Sequence, residues 1–67
     1  MIYDQSQIVT ISYTNYRGEK SDRRIVPLKI WFGSNEYHKD NQWLLDAFDI
    51  TKDAIRSFAV KDITSWK

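Results

Sequence analysis

No cysteine occurs among the 67 residues, so neither a disulfide nor a thiolate-held metal can reinforce the fold. A domain this short buries only a modest fraction of its chain surface, and its stability is marginal unless its core is unusually rich. An excess of one charge is also missing. Ten Lys and Arg stand against nine Asp and Glu, and the resulting +1 excludes a generic polyanion sponge. Any nucleic-acid binding must come from a local basic patch. Two glycines and one proline are too few for a glycine-rich phosphate cradle or a linker, and no repeat or low-complexity tract is present. The opening Met1-Ile2-Tyr3-Asp4-Gln5 has neither the basic start nor the apolar stretch of a signal peptide. No apolar run approaches membrane-spanning length. The expectation is one soluble, cytoplasmic domain over residues 1–67, with no membrane partner.

What the chain does have is aromatic area. Three Trp, four Tyr and three Phe bury more surface per residue than any other side chains, which lets a short chain reach a workable core without staples. The densest apolar run, Gln42-Trp43-Leu44-Leu45-Asp46-Ala47-Phe48-Asp49, is expected to be the central element of that core.

Ahead of it, Ile8 to Tyr13 is β-branched or aromatic almost throughout, and reads as a strand with Val9, Ile11 and Tyr13 on one face. Asn15-Tyr16-Arg17-Gly18 reads as a tight turn, with Gly18 supplying the positive φ. A second strand then runs from Ser21 through Phe32, with Arg23 and Ile25 on one side and Arg24, Val26 and Leu28 on the other. The two make a hairpin. Pro27 cannot donate to a ladder, so it is expected at an edge, a bend or a bulge, splitting the run in two. Residues 33–41 are the one long polar stretch and read as an exposed loop tip. After the central run come a turn around Thr51 to Asp53, an apolar segment Ile55 to Val60, and a closing segment Lys61 to Trp66. Leu44, Ala47, Phe48, Thr51, Ala54, Ile55 and Phe58 also fall at three- and four-residue steps. Periodicity therefore leaves one amphipathic helix over residues 43–60 as an alternative to strands.

Taken together, the strand ending in Tyr13, the turn at Gly18, Arg23-Arg24-Ile25-Val26-Pro27-Leu28, Trp43-Leu44-Leu45-Asp46-Ala47-Phe48-Asp49 and Arg56-Ser57-Phe58 resemble the WYL domain family. That family's pattern runs Tyr, Gly, Arg-x-x-x-Pro-Leu, Trp-Tyr-Leu-x-Ala, Arg-x-Phe, and the likeness covers about residues 8–63. The resemblance implies a mainly β protein: an Sm-like or SH3-like small β-barrel of about five strands, with a short 3-10 turn near the C-terminus. It thereby favours strands over residues 43–60. It also implies a free-standing bacterial or phage relative of a regulatory module that binds nucleic acid or nucleotide-type ligands. Tyr13, Arg23, Trp43, Leu45, Ala47, Arg56 and Phe58 fall on matching positions. Leu44 replaces the Tyr of the naming triplet, Ala59 replaces a second Arg, and Lys61-Asp62-Ile63 replaces Asp-Arg-Ile. These departures remove a phenol and two guanidinium groups from the ligand surface that the resemblance implies.

Arg23, Arg24 and Arg56 are the leading binding candidates, because guanidinium groups engage phosphate in bidentate fashion while aromatics such as Tyr13, Tyr16 and Trp43 stack on bases. The structural alternative pairs these arginines with Asp46, Asp49 or Asp53 across strands and puts Trp43 in the core. Tyr37 and His38 join the candidate set as loop residues beside the barrel mouth. His38 with Glu36 and Asp40 is a weak metal set, lacking a second His or any Cys, and no metal or cofactor is expected. No nucleophile sits beside an oriented base, so the chain reads as a non-enzymatic module for single-stranded nucleic acid or a nucleotide. The competing reading is a protein-interaction or self-assembly module, possible as a homo-oligomer through exposed Trp31, Phe32 or Trp66.

Overall fold

The computed structural model describes residues 2–67. Five strands form one antiparallel sheet: β1 (Val9–Thr14), β2 (Lys20–Gly33), β3 (Gln42–Asp49), β4 (Ala54–Ala59) and β5 (Ile63–Trp66), in the order β4-β3-β2-β1-β5. Two single-turn 3-10 helices, η1 (Gln5–Gln7) and η2 (Val60–Asp62), complete the chain. The helical alternative for residues 43–60 is excluded, since β3 and β4 pair from Leu44↔Ala59 to Asp49↔Ala54.

The β1–β2 hairpin closes as its turn residues dictate. Asn15 Oδ1 accepts hydrogen bonds from the backbone N–H of Arg17 (2.9 Å) and Glu19 (3.0 Å), and Gly18 adopts φ 80°. β2 continues unbroken for 14 residues. Pro27 does not split it. The register against β3 shifts between Pro27 and Lys29, so Leu28 is bulged, and the β1 ladder has already ended at Ile25. Pro27 thus lies where β2 has one paired neighbour and a local distortion, the setting in which a missing N–H is tolerated.

β2 is the middle strand, whereas β3 buries five of its eight residues and draws on both faces. On one face Leu45 and Ala47 join Ile11, Tyr13, Ile25 and Phe58 in the core, ringed by Val9, Val60 and Ile63. On the other, Tyr3 packs against Phe48 with ring centroids 5.9 Å apart. Phe58 belongs to one sheet edge and Ile63 to the opposite edge, yet both reach the same core, so the sheet must curl. The curl does not close. No ladder joins β4 to β5 among the described residues, and η2 carries the chain from one edge to the other.

Candidate functional site

The curl leaves an open concavity of about 1070 Å³ between the inner ends of β1, β2 and β4, the η2 turn and the β2–β3 loop. Tyr13, Arg23, Tyr37, His38 and Arg56 all line it, together with Tyr16. Five of the seven sequence-derived candidates are therefore brought together.

Arg23 sits opposite Ile11 on the core-facing side of β2, and its guanidinium leans towards Asp49. Nη1 donates to Asp49 Oδ2 at 3.4 Å, an ion pair in which the Arg23 side chain is 19% exposed and Asp49 is fully buried. Asp49 Oδ1 also accepts the Lys52 N–H at 3.3 Å. Asp49 is thus the partner that the structural alternative assigned to one of the arginines. Arg23 Nε is buried and has no hydrogen-bond partner among the described residues, which leaves the guanidinium incompletely satisfied. Arg56 differs: opposite Ala47 on edge strand β4, it is exposed and makes no ion pair among the described residues.

Tyr13 is a wall of the site rather than a stacking platform. It is 8% exposed and meets Phe58 edge-on at 5.0 Å. Burial pushes its hydroxyl above the usual tyrosine value, against a hydrogen bond from the Ala59 N–H and with added repulsion from Asp62. The exposed rings at the site are those of Tyr16 and Tyr37, 91% and 82% exposed.

The loop after β2 is more ordered than a polar tip requires. Asn35 Oδ1 accepts the backbone N–H of Tyr37 (3.0 Å) and of His38 (2.7 Å), and the Asn35 N–H donates to the His38 carbonyl (2.9 Å). His38 Nε2 then lies 3.3 Å from the Ser57 carbonyl, to which it donates, tying the loop to β4 beside Arg56. Tyr37 is held out over the concavity as a result.

Two candidates lie elsewhere. Arg24 is exposed on the opposite face of β2 and uses its carbonyl to accept the Ile50 N–H at 3.0 Å. Trp43 is neither in the core nor in the concavity. It is 56% exposed at the far end of β3, edge-on to Phe32 at 5.4 Å, because its strand end has no third strand above it. Sequence reasoning missed Lys39 and Lys61, which line the site with Glu36, Asp40 and Asp62. It also missed the way Asp46 binds the strands on the outer face, where Oδ1 accepts both Trp31 Nε1 (3.0 Å) and Ser57 Oγ (2.6 Å). Burial opposes ionisation of Asp46, but those two hydrogen bonds and the charge of Lys29 outweigh it and hold the carboxyl below its ordinary range. The cross-strand positions Asp46↔Ser57 and Lys29↔Asp46 are the signal, legible only once register is known.

With Arg23 neutralised by Asp49, Lys39, Arg56 and Lys61 balance Glu36, Asp40 and Asp62 around two exposed phenol rings, and Arg56 and the two lysines are the cations exposed to a ligand. That arrangement suits a ligand with one or two anionic groups and a flat face, rather than a long polyanion. No group of three or more His, Asp or Glu gathers to hold a metal among the described residues, and no helix there is long and apolar enough to cross a membrane. A comparison with curated proteins finds no match. A family model for the WYL domain matches residues 3–67, so the chain belongs to the WYL domain family, whose members are in general ligand-binding, regulatory domains.

Proposed function

We propose that this chain is a non-enzymatic regulatory module that takes a nucleotide or a short stretch of single-stranded nucleic acid into the concavity. The curled sheet is then an Sm-like or SH3-like barrel left open between β4 and β5, with the site at its mouth. The observation that carries the reading is the convergence of Arg56, with no ion-pair partner among the described residues, and exposed Tyr37 on one wall, tied together by the His38–Ser57 hydrogen bond. Arg56 and the exposed part of the Arg23 guanidinium take phosphate, Tyr37 and Tyr16 cover a base, Lys39 and Lys61 neutralise the rim, and Tyr13 forms a wall. Arg24 and Trp43 have no part in it.

Two phosphate contacts give a weak but measurable salt dependence, a slope of about −1.4 in log affinity against log salt for a single strand. Mononucleotides and short oligonucleotides are titrated at two salt concentrations against the wild type, Arg56→Ala and Tyr37→Ser. Both substitutions are expected to weaken binding about tenfold, and Arg56→Ala alone to flatten the salt slope. Equal affinity in all three proteins refutes the assignment. Trp43→Ala should leave affinity unchanged.

A further inference from the structure

The fold has three free strand edges, and they are treated differently. The edge of β4 is tied beneath the His38 loop, and that of β5 is only four residues long. The third is the far half of β2. The β1 ladder covers β2 from Lys20 to Ile25, whereas β3 continues to Gly33, so from Leu28 onward β2 is paired on one side only. None of the backbone hydrogen bonds outside the ladders involves residues 28–33. Natural edges are blunted by charge, by proline, by a bulge or by a covering loop, and here Pro27 and the bulged Leu28 guard only the near end of the stretch. Here Lys29 is the one charge in the stretch, while Leu28, Ile30 and Phe32 are 43%, 60% and 58% exposed.

The apolar surface continues past the strand. Ile30 and Trp66 line a groove of about 320 Å³, and Phe32 abuts Trp43. Taking roughly 150–250 Å² for each large aromatic, the exposed parts of Leu28, Ile30, Phe32, Trp43 and Trp66 amount to something on the order of 500 Å². That is at the upper end of what monomers expose. With the strand backbone added, it approaches the ~800 Å² that each partner contributes to a standard interface.

We infer that Leu28–Phe32 is the docking edge for a second copy of this chain, paired antiparallel to the same stretch across a two-fold axis. The occupant follows from self-complementarity. Reversing the strand about Ile30 sets Leu28 against Phe32 and Lys29 against Trp31, so apolar groups meet apolar groups, the cation meets an aromatic ring, and no like charges oppose. Pairing joins the β4-β3-β2 halves of the two copies into one continuous sheet.

The cysteine-free sequence makes the test direct, because a single introduced thiol has only its symmetry mate to find. Sedimentation of the wild type over a concentration series is expected to show a monomer–dimer equilibrium that Phe32→Glu abolishes, with circular dichroism confirming that the variant is folded. Under mild oxidation Ile30→Cys is expected to form a covalent dimer at least tenfold faster than Lys52→Cys, whose thiol lies in the β3–β4 turn. A wild type that stays monomeric throughout, a mass that grows beyond the dimer, or equal cross-linking of the two cysteine variants each overturns the inference. Ligand titration reads a different face of the molecule, so the two proposals stand or fall separately.

Discussion

Arg23 and Asp49 concentrate the electrostatic risk of this chain at one pair. Asp49 is fully buried and its carboxylate makes two polar contacts among the described residues, at 3.4 and 3.3 Å, so removing the guanidinium strands a carboxylate in the interior. A domain of this size holds roughly 3–10 kcal/mol in total. Arg23→Ala is expected to remove about 2–3 kcal/mol of it, discounted for the partial exposure of the arginine. Urea melts should show Arg24→Ala within about 0.5 kcal/mol of the wild type. Replacing both partners with apolar residues, Arg23→Met with Asp49→Leu, should recover most of the loss. Failure of the double variant to recover would mean that the pair does more than neutralise itself. The sequence made such a pairing readable as one alternative but could not select it, because selection depends on Arg23 and Asp49 both flanking Ile25 on the core-facing side. Trp43 shows the opposite limit. Its chemistry suits a core or a stacking platform equally, and its actual place depends on where β1 stops covering β2.

Elements in this fold are tied at their outer face as well as through the core. Asp46 on β3 accepts from Trp31 on β2 and from Ser57 on β4, so one carboxylate spans three strands. Its folded pKa lies below the ordinary value of 3.8. The unfolded chain therefore binds the proton more readily, and the stabilisation is present above pH 3.8 and lost as pH falls through the folded value. Ser57→Ala is expected to cost about 1 kcal/mol at neutral pH and to move acid unfolding to higher pH. Urea midpoints measured from pH 2 to 7 read both effects, and an acid limb unchanged by the substitution would remove Asp46 from that role. Strand identity was legible for β1 and β2 from β-branched residues and from the turn chemistry of Asn15 and Gly18, whereas for β3 and β4 periodicity left a helix open and only the family resemblance favoured strands. The bulge at Leu28 was legible only as a set of options at Pro27. Residues 33–41 read as an exposed loop tip because no residue in them announces that His38 will reach a carbonyl on β4.

At the scale of the whole molecule, the family pattern anticipated five strands and the 3-10 turn before β5, since each motif falls on the strand it should. Closure was not legible, because it depends on whether β4 and β5 meet, and the residues of neither strand encode that distance. β5 pairs with β1 across roughly fifty residues of chain, by far the longest loop that the sheet has to close. β1 to β4, in contrast, are linked as consecutive hairpins. Amide hydrogen exchange is expected to rank accordingly, with the amides joining β5 to β1 opening well before those between β2 and β3. Equal protection across all four ladders would contradict that order.

His38 and Ser57, joined by their hydrogen bond, line the same hollow as Lys61 of η2, and η2 leads directly into β5. A molecule gripped by both Arg56 and Lys61 would therefore act as a brace across the seam. Occupancy should be readable beyond the site, as slower deuterium uptake along Thr10 to Ser12 without any change in the resting fold.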